Sequence, residues 1–116
     1  MKYLLVLLLL FSMGLQAKEI VCIAEKLDAP FDEIILSKPG RGNIYSMRVV
    51  KEQNTLLSTE VSYLFSRRNQ LATFKNNDKS IEIKTLRLIA DRVTKSSIRI
   101  NSLYGGTLRG FCKLYQ

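Results

Sequence analysis

Cys22 and Cys112 are the only cysteines in this chain of 116 residues, and they stand near its two ends. A bond between them would hold their Cα atoms within about 7 Å. The first and last structured segments would then lie side by side, a condition that few small folds satisfy. Whether the bond forms depends on compartment, because disulfides persist outside the reducing cytoplasm.

The opening residues bear on the compartment. Lys2 supplies a positive start, Leu4 to Phe11 is an unbroken apolar run, and Met13 extends it. Gly14-Leu15-Gln16-Ala17 then precedes the charged pair Lys18-Glu19. This is the pattern of a secretory signal peptide over residues 1–17, with 18–116 as a single mature domain. Leu15 occupies a place where a small residue is usual, so cleavage after Gly14, with Ser12 at −3, is the alternative. A membrane anchor needs about 20 apolar residues, more than this run offers. Lipid attachment at Cys22 is disfavoured, because Val21 precedes it and the apolar run ends well before it. The chain is therefore expected to be exported, periplasmic or extracellular, with a Cys22–Cys112 disulfide and no transmembrane segment in the mature part. Closing a loop of about 90 residues would contribute on the order of 4 kcal/mol by chain entropy. That is a large share for a chain this small, which buries only about two-thirds of its unfolded surface.

After the leader, hydrophobicity mostly repeats every second residue, which argues strands over helices. Ile20 to Ala24 opens the domain, and Phe31 to Ser37 follows. Lys38-Pro39-Gly40-Arg41-Gly42-Asn43 is the densest cluster of turn formers. In Ile44 to Lys51, Tyr45, Met47 and Val49 alternate with Ser46 and Arg48, and Glu52 to Thr55 is a polar break. Leu57, Thr59, Val61, Tyr63 and Phe65 give the cleanest alternation. Gln70 to Lys75 comes next, bounded by Ser66-Arg67-Arg68-Asn69 and Asn76-Asn77-Asp78-Lys79. Ile81 and Ile83 begin a strand, but Leu86 and Leu88 take the opposite phase. A bulge near Thr85 reconciles the two, and a short helix within 85–93 is the alternative. Ile98 to Tyr104 is expected to pair with Thr107 to Tyr115 across a Gly105-Gly106 hairpin.

These segments predict an all-β fold, a small antiparallel up-and-down barrel of about eight strands. Closure brings the last strand beside the first and removes exposed edges. A two-sheet β-sandwich, or an α+β fold using the 85–93 helix, is the runner-up.

The chemical inventory is sparse. The chain has no histidine, which removes the usual general base and the commonest metal ligand. There is no Cys-x-x-Cys, no Ser-x-x-Lys and no Gly-x-Ser-x-Gly. Asp32 and Glu33 are adjacent, and on a strand their side chains point to opposite faces. Glu60 and Glu82 could meet only through the fold. Asn76-Asn77-Asp78 suits turn chemistry better than calcium binding. No catalytic, metal or cofactor site is expected, and the chain is read as a non-enzyme.

Charge offers more. The formal net charge is +8. In an up-and-down barrel, connections after even-numbered strands share one end. On this reading that end carries Lys38, Arg41, Arg67, Arg68, Arg92 and Lys95 against Asp91 alone. The opposite end carries Lys26, Lys51 and Lys79 balanced by Asp28, Glu52 and Asp78. A basic rim attracts anions, and salt weakens that attraction. The expected function is a binding module of the cell envelope using this rim on an anionic ligand or surface. Candidate partners are phospholipid, lipopolysaccharide, teichoic acid or an acidic protein. Nucleic acid is disfavoured, because Tyr45, Tyr63, Phe65 and Phe74 alternate as core residues and do not interleave with the arginines. The alternative is a secreted inhibitor or interaction domain that docks its loops on a partner protein.

Overall fold

The computed structural model describes residues 19–38 and 42–115. The leader and Arg41 lie outside the described residues. Eight strands follow one another: β1 (Glu19–Ala24), β2 (Glu33–Ser37), β3 (Ile44–Lys51), β4 (Asn54–Ser66), β5 (Leu71–Lys75), β6 (Ile81–Leu86), β7 (Val93–Ile100) and β8 (Leu108–Tyr115). Each pairs antiparallel with the next, and β8 pairs with β1 to close the barrel. The predicted barrel is thus the observed one. Neither the sandwich nor the 85–93 helix forms.

The seam is where the cysteines act. Cys22 stands directly opposite Cys112 in the β1–β8 register, and the two are joined with Cα atoms 4.0 Å apart. Both are buried inside the barrel. The backbone ladder and the covalent bond therefore close the same gap. Beside them, Gly110 permits a close approach of strands. A Cβ there would meet the Ile23 carbonyl oxygen and lie 2.9 Å from Ile98 Cδ1.

The barrel interior is filled by the alternation already visible in the sequence. Ile34, Leu36, Met47, Val49, Phe74 and Ile83 are among its fully buried side chains. Thr85 is the buried polar exception. Its hydroxyl donates to the Lys95 carbonyl at 3.2 Å and lies 2.7 Å from Thr94 Oγ1, so burial leaves it satisfied.

The two ends of the barrel differ. At the end carrying the β1–β2 connection, Ala29 and Phe31 fold inward and are buried. Lys51 Nζ reaches the Ala29 carbonyl at 3.5 Å, and Asp32 N–H donates to Val50 at 2.8 Å. Leu103 and Tyr104, from the β7–β8 connection, pack against the same core, and the Lys26 ammonium lies 5.6 Å from the Tyr104 ring centroid. This end is plugged.

Several local expectations are corrected. The strand from Ile81 runs without a bulge to Leu86, and the chain then leaves the sheet. The reversed phase of Leu86 and Leu88 marks that departure. The observed register shift lies between Val49 and Val50. The seventh strand begins at Val93 and ends at Ile100, so Asn101 to Tyr104 belongs to a longer connection and Gly105-Gly106 is not a two-residue hairpin. The two-residue hairpin is at Glu52-Gln53, between β3 and β4, with φ of 51° and 67°. Two positive φ values define the turn type that matches strand twist, a conformation usually given to Asn-Gly. Here Asp32 supports it, its Oδ2 accepting the Glu52 N–H at 2.6 Å.

Candidate functional site: the basic mouth of the barrel

The unplugged end carries the connections after β2, β4 and β6. A cavity of about 620 Å³ opens there, lined by Ile20, Tyr45, Tyr63, Phe65, Leu88 and Leu114, with Arg67, Gln70 and Arg87 at its edge. The strands build it in layers. Phe74 is fully buried, and its ring centroid lies 5.2 Å from that of Tyr45 and 5.1 Å from that of Tyr63. Tyr45 and Tyr63, 5.7 Å apart, are only partly buried and form the cavity floor above Phe74. Phe65 is the next inward position on β4, and Arg67 stands just past the strand's end.

Hydrogen bonds hold the edge together. Gln70 Nε2 donates to the Arg67 carbonyl at 2.7 Å within the β4–β5 turn. The Arg87 N–H donates to the Gln70 carbonyl at 3.0 Å. Arg67 and Arg87 are therefore placed on either side of Gln70. The segment after Arg87 is pinned to the end of β8, because Asp91 N–H donates to the Leu114 carbonyl at 3.0 Å and Ala90 bridges Leu114. This positions Leu88 over the core.

Burial shapes the floor electrostatically. Desolvation raises the pKa of both Tyr45 and Tyr63 above the ordinary 10.0. The neighbouring Tyr63 adds to the effect at Tyr45, and the Arg87 cation partly offsets it at Tyr63. Both phenols are thus neutral at physiological pH and can donate hydrogen bonds. Among the described residues no carboxylate lines the cavity.

The charge partition is sharper than the even split expected at the plugged end. Connections at the open end carry Lys38, Arg67, Arg68, Arg87 and Arg92 against Asp91 among the described residues. Connections at the plugged end carry Glu25, Asp28, Asp32, Glu52 and Asp78 against Lys26 and Lys79. Lys51 belongs to the last position of β3. The connections are thus mainly basic at the mouth and mainly acidic at the base, where Lys51 and Arg99 reach the acidic connections from the strand ends.

The site residues expected from sequence are distributed as follows. Arg67 lines the mouth. Lys38, Arg68 and Arg92 lie on connections at the same end without lining the cavity. Lys95 does not belong to a connection. It is an exposed residue of β7, on the outer surface beside Lys84, Leu86 and Arg109. The earlier start of β7 moved it there. Tyr45, Tyr63, Phe65, Gln70, Arg87 and Leu88 were missed as mouth residues. The aromatics read as ordinary core because alternation reports the inward face and not the height along the barrel. Arg87 was hidden by the ambiguous phase around Thr85.

Two other constellations resolve into structure. Glu82 lies 3.6 Å from Lys84 Nζ and 4.0 Å from Arg99 Nη2. Asp78 accepts the Ser80 N–H at 3.0 Å and the Ser80 hydroxyl at 2.7 Å, which holds its carboxyl below the usual 3.8. Asn76 Oδ1 accepts the Ile81 N–H in the same turn. No group of three potential metal ligands occurs among the described residues, and no helix among them is long and apolar enough to cross a membrane. No protein-family model matches this chain, and no curated protein or solved structure does either.

Proposed function

We propose that this chain is an exported binding module of the cell envelope that takes an anionic ligand at the mouth of its barrel. The observation that carries the reading is the coincidence of the open end with the basic end. Cations without carboxylate partners raise the local concentration of anions, and a low-dielectric concave wall strengthens that field. Export is supported by the leader-like residues 1–17 and by the Cys22–Cys112 bond, which suits an oxidising compartment. The periplasm or the extracellular space supplies suitable anions in phospholipid, lipopolysaccharide, teichoic acid and acidic proteins.

The test is retention of the mature protein on an anionic matrix. Retention at about 0.05 M salt should disappear near 1 M, where the screening length falls to about 3 Å. Arg67→Ala/Arg68→Ala should elute at clearly lower salt than the parent. Equal retention of the variant, or retention insensitive to salt, overturns the reading. Salt-insensitive, stoichiometric capture of one protein would instead mark a loop-docking inhibitor.

A further inference from the structure

We propose that the mouth holds a single amphipathic anion, with a carboxylate or phosphate head between Arg67 and Arg87 and an apolar body resting on Tyr45, Tyr63 and Phe65. The inference rests on the reading above for the sign of the charge, and adds the ligand's size and its second, apolar half.

A cavity of about 620 Å³ falls within the range of about 300–1,000 Å³ typical of small-molecule sites. A polyanion or charged surface would use every cation at this end alike. The cations are not alike. Arg67 and Arg87 border the cavity, whereas Lys38, Arg68 and Arg92 do not. Guanidinium groups present paired donors that match a carboxylate or phosphate. The bonds through Gln70 tie the backbones of the two arginines to one residue, and both arginines line the same cavity.

Below that edge the walls change character. Phe65, Leu88 and Leu114, each only partly buried, add aliphatic and aromatic surface to a lining that also carries polar groups, and a bare inorganic anion would leave that apolar part in contact with water. An apolar body would remove that surface from solvent, at about 25 cal/mol per Å². From Tyr63 to Arg67, the residue just past the end of β4, the chain advances four residues, roughly 13 Å at about 3.3 Å per residue. That span of wall is comparable with an extended medium-length acyl chain. The plug of Ala29 and Phe31 closes the far end, so the body enters and leaves by the mouth.

The experiment titrates the mature, disulfide-bonded protein with decanoate, followed by calorimetry and by tyrosine emission, which is clean because the chain has no tryptophan. One site per chain is expected. Arg67→Ala and Arg87→Ala should each weaken binding about tenfold, as loss of one charged hydrogen-bonding partner predicts. Arg68→Ala/Arg92→Ala should stay within about twofold, since neither residue lines the cavity. Decyl phosphate should bind like decanoate, and decyltrimethylammonium should not bind.

Equal binding of the cationic amphiphile overturns the head-group assignment. Retention on the anionic matrix without decanoate binding overturns the pocket ligand while leaving the basic-end reading intact. Binding to phosphatidylglycerol vesicles that decanoate cannot compete away overturns it in favour of surface docking. Circular dichroism of each variant separates loss of binding from loss of fold.

Discussion

The Arg87 N–H donates to the Gln70 carbonyl at 3.0 Å, tying the β6–β7 connection to the β4–β5 turn that carries Arg67. Two cationic segments distant in sequence are thereby gathered at one edge of an open barrel. Neither Arg67 nor Arg87 has an ion-pair partner among the described residues. Such an arrangement is what the proposed anion site requires. Arg67→Ala and Arg87→Ala should each change unfolding free energy by less than about 0.5 kcal/mol. The change should shift toward stabilisation at low salt, where like charges repel most. Urea melts at two salt concentrations measure this, and a large loss of stability would make the arginines structural.

The seam should dominate the stability of the chain. Cys22→Ala/Cys112→Ala removes a link across 90 residues and should cost about 4 kcal/mol in the unfolding free energy through the chain entropy regained by the unfolded state. Urea unfolding of parent and variant gives the comparison, with reduction of the parent as a second route to the same loss.

Gly110 should be intolerant where Gly105 is not. Gly110→Ala forces a methyl group against the Ile23 carbonyl and Ile98, and overpacking of this kind costs about 1–3 kcal/mol. At Gly105 a Cβ meets nothing within 4 Å, so Gly105→Ala should be close to neutral. Thermal melts of the pair test the seam's need for close strand approach.

The β3–β4 turn leaves stability to be gained. Gln53 holds φ of 67° without being glycine, a conformation that strains a side chain with a Cβ. Gln53→Gly should stabilise by about 1 kcal/mol. Asp32→Ala should destabilise by a similar amount, because the Glu52 N–H loses its acceptor.

Alkaline pH should loosen the mouth. Tyr45 and Tyr63 have pKa values raised above 10.0 by burial. Above that value the unfolded chain releases protons that the folded chain retains, so unfolding is favoured as pH rises. The stabilising contribution is complete below pH 10.0 and is lost as pH climbs through the folded-state values. Tyr45→Phe/Tyr63→Phe should flatten the decline of Tm above that pH. Arg87→Ala should move the Tyr63 titration upward, since the Arg87 cation lowers it. Phenolate absorbance in the single Tyr→Phe variants resolves the two groups.

Alternation and turn chemistry carried much of the architecture. Leu57, Thr59, Val61, Tyr63 and Phe65 announced β4 by their period of two, and the cysteine pair foretold the β1–β8 neighbourhood. Local rules failed where tertiary context outweighed them. Gly105-Gly106 looked like the tightest turn and became part of a longer connection. Glu52-Gln53 looked like a polar break and became the tight hairpin, set by the β3–β4 ladder and supported by Asp32, twenty residues away, which supplies an acceptor there.

By itself, then, the sequence determined that the chain is strand-rich, that its inward faces are apolar, and that its two ends are held together. Those properties depend on near neighbours or on a single covalent bond. Only the tertiary structure decided which end opens, how deep Tyr45 and Tyr63 sit, and that Arg87 joins Arg67 while Lys95 does not. Height along a barrel depends on register between strands and on the course of connections such as Ala29–Phe31. Those are sums of many weak, long-range contacts, and no short stretch of residues encodes them.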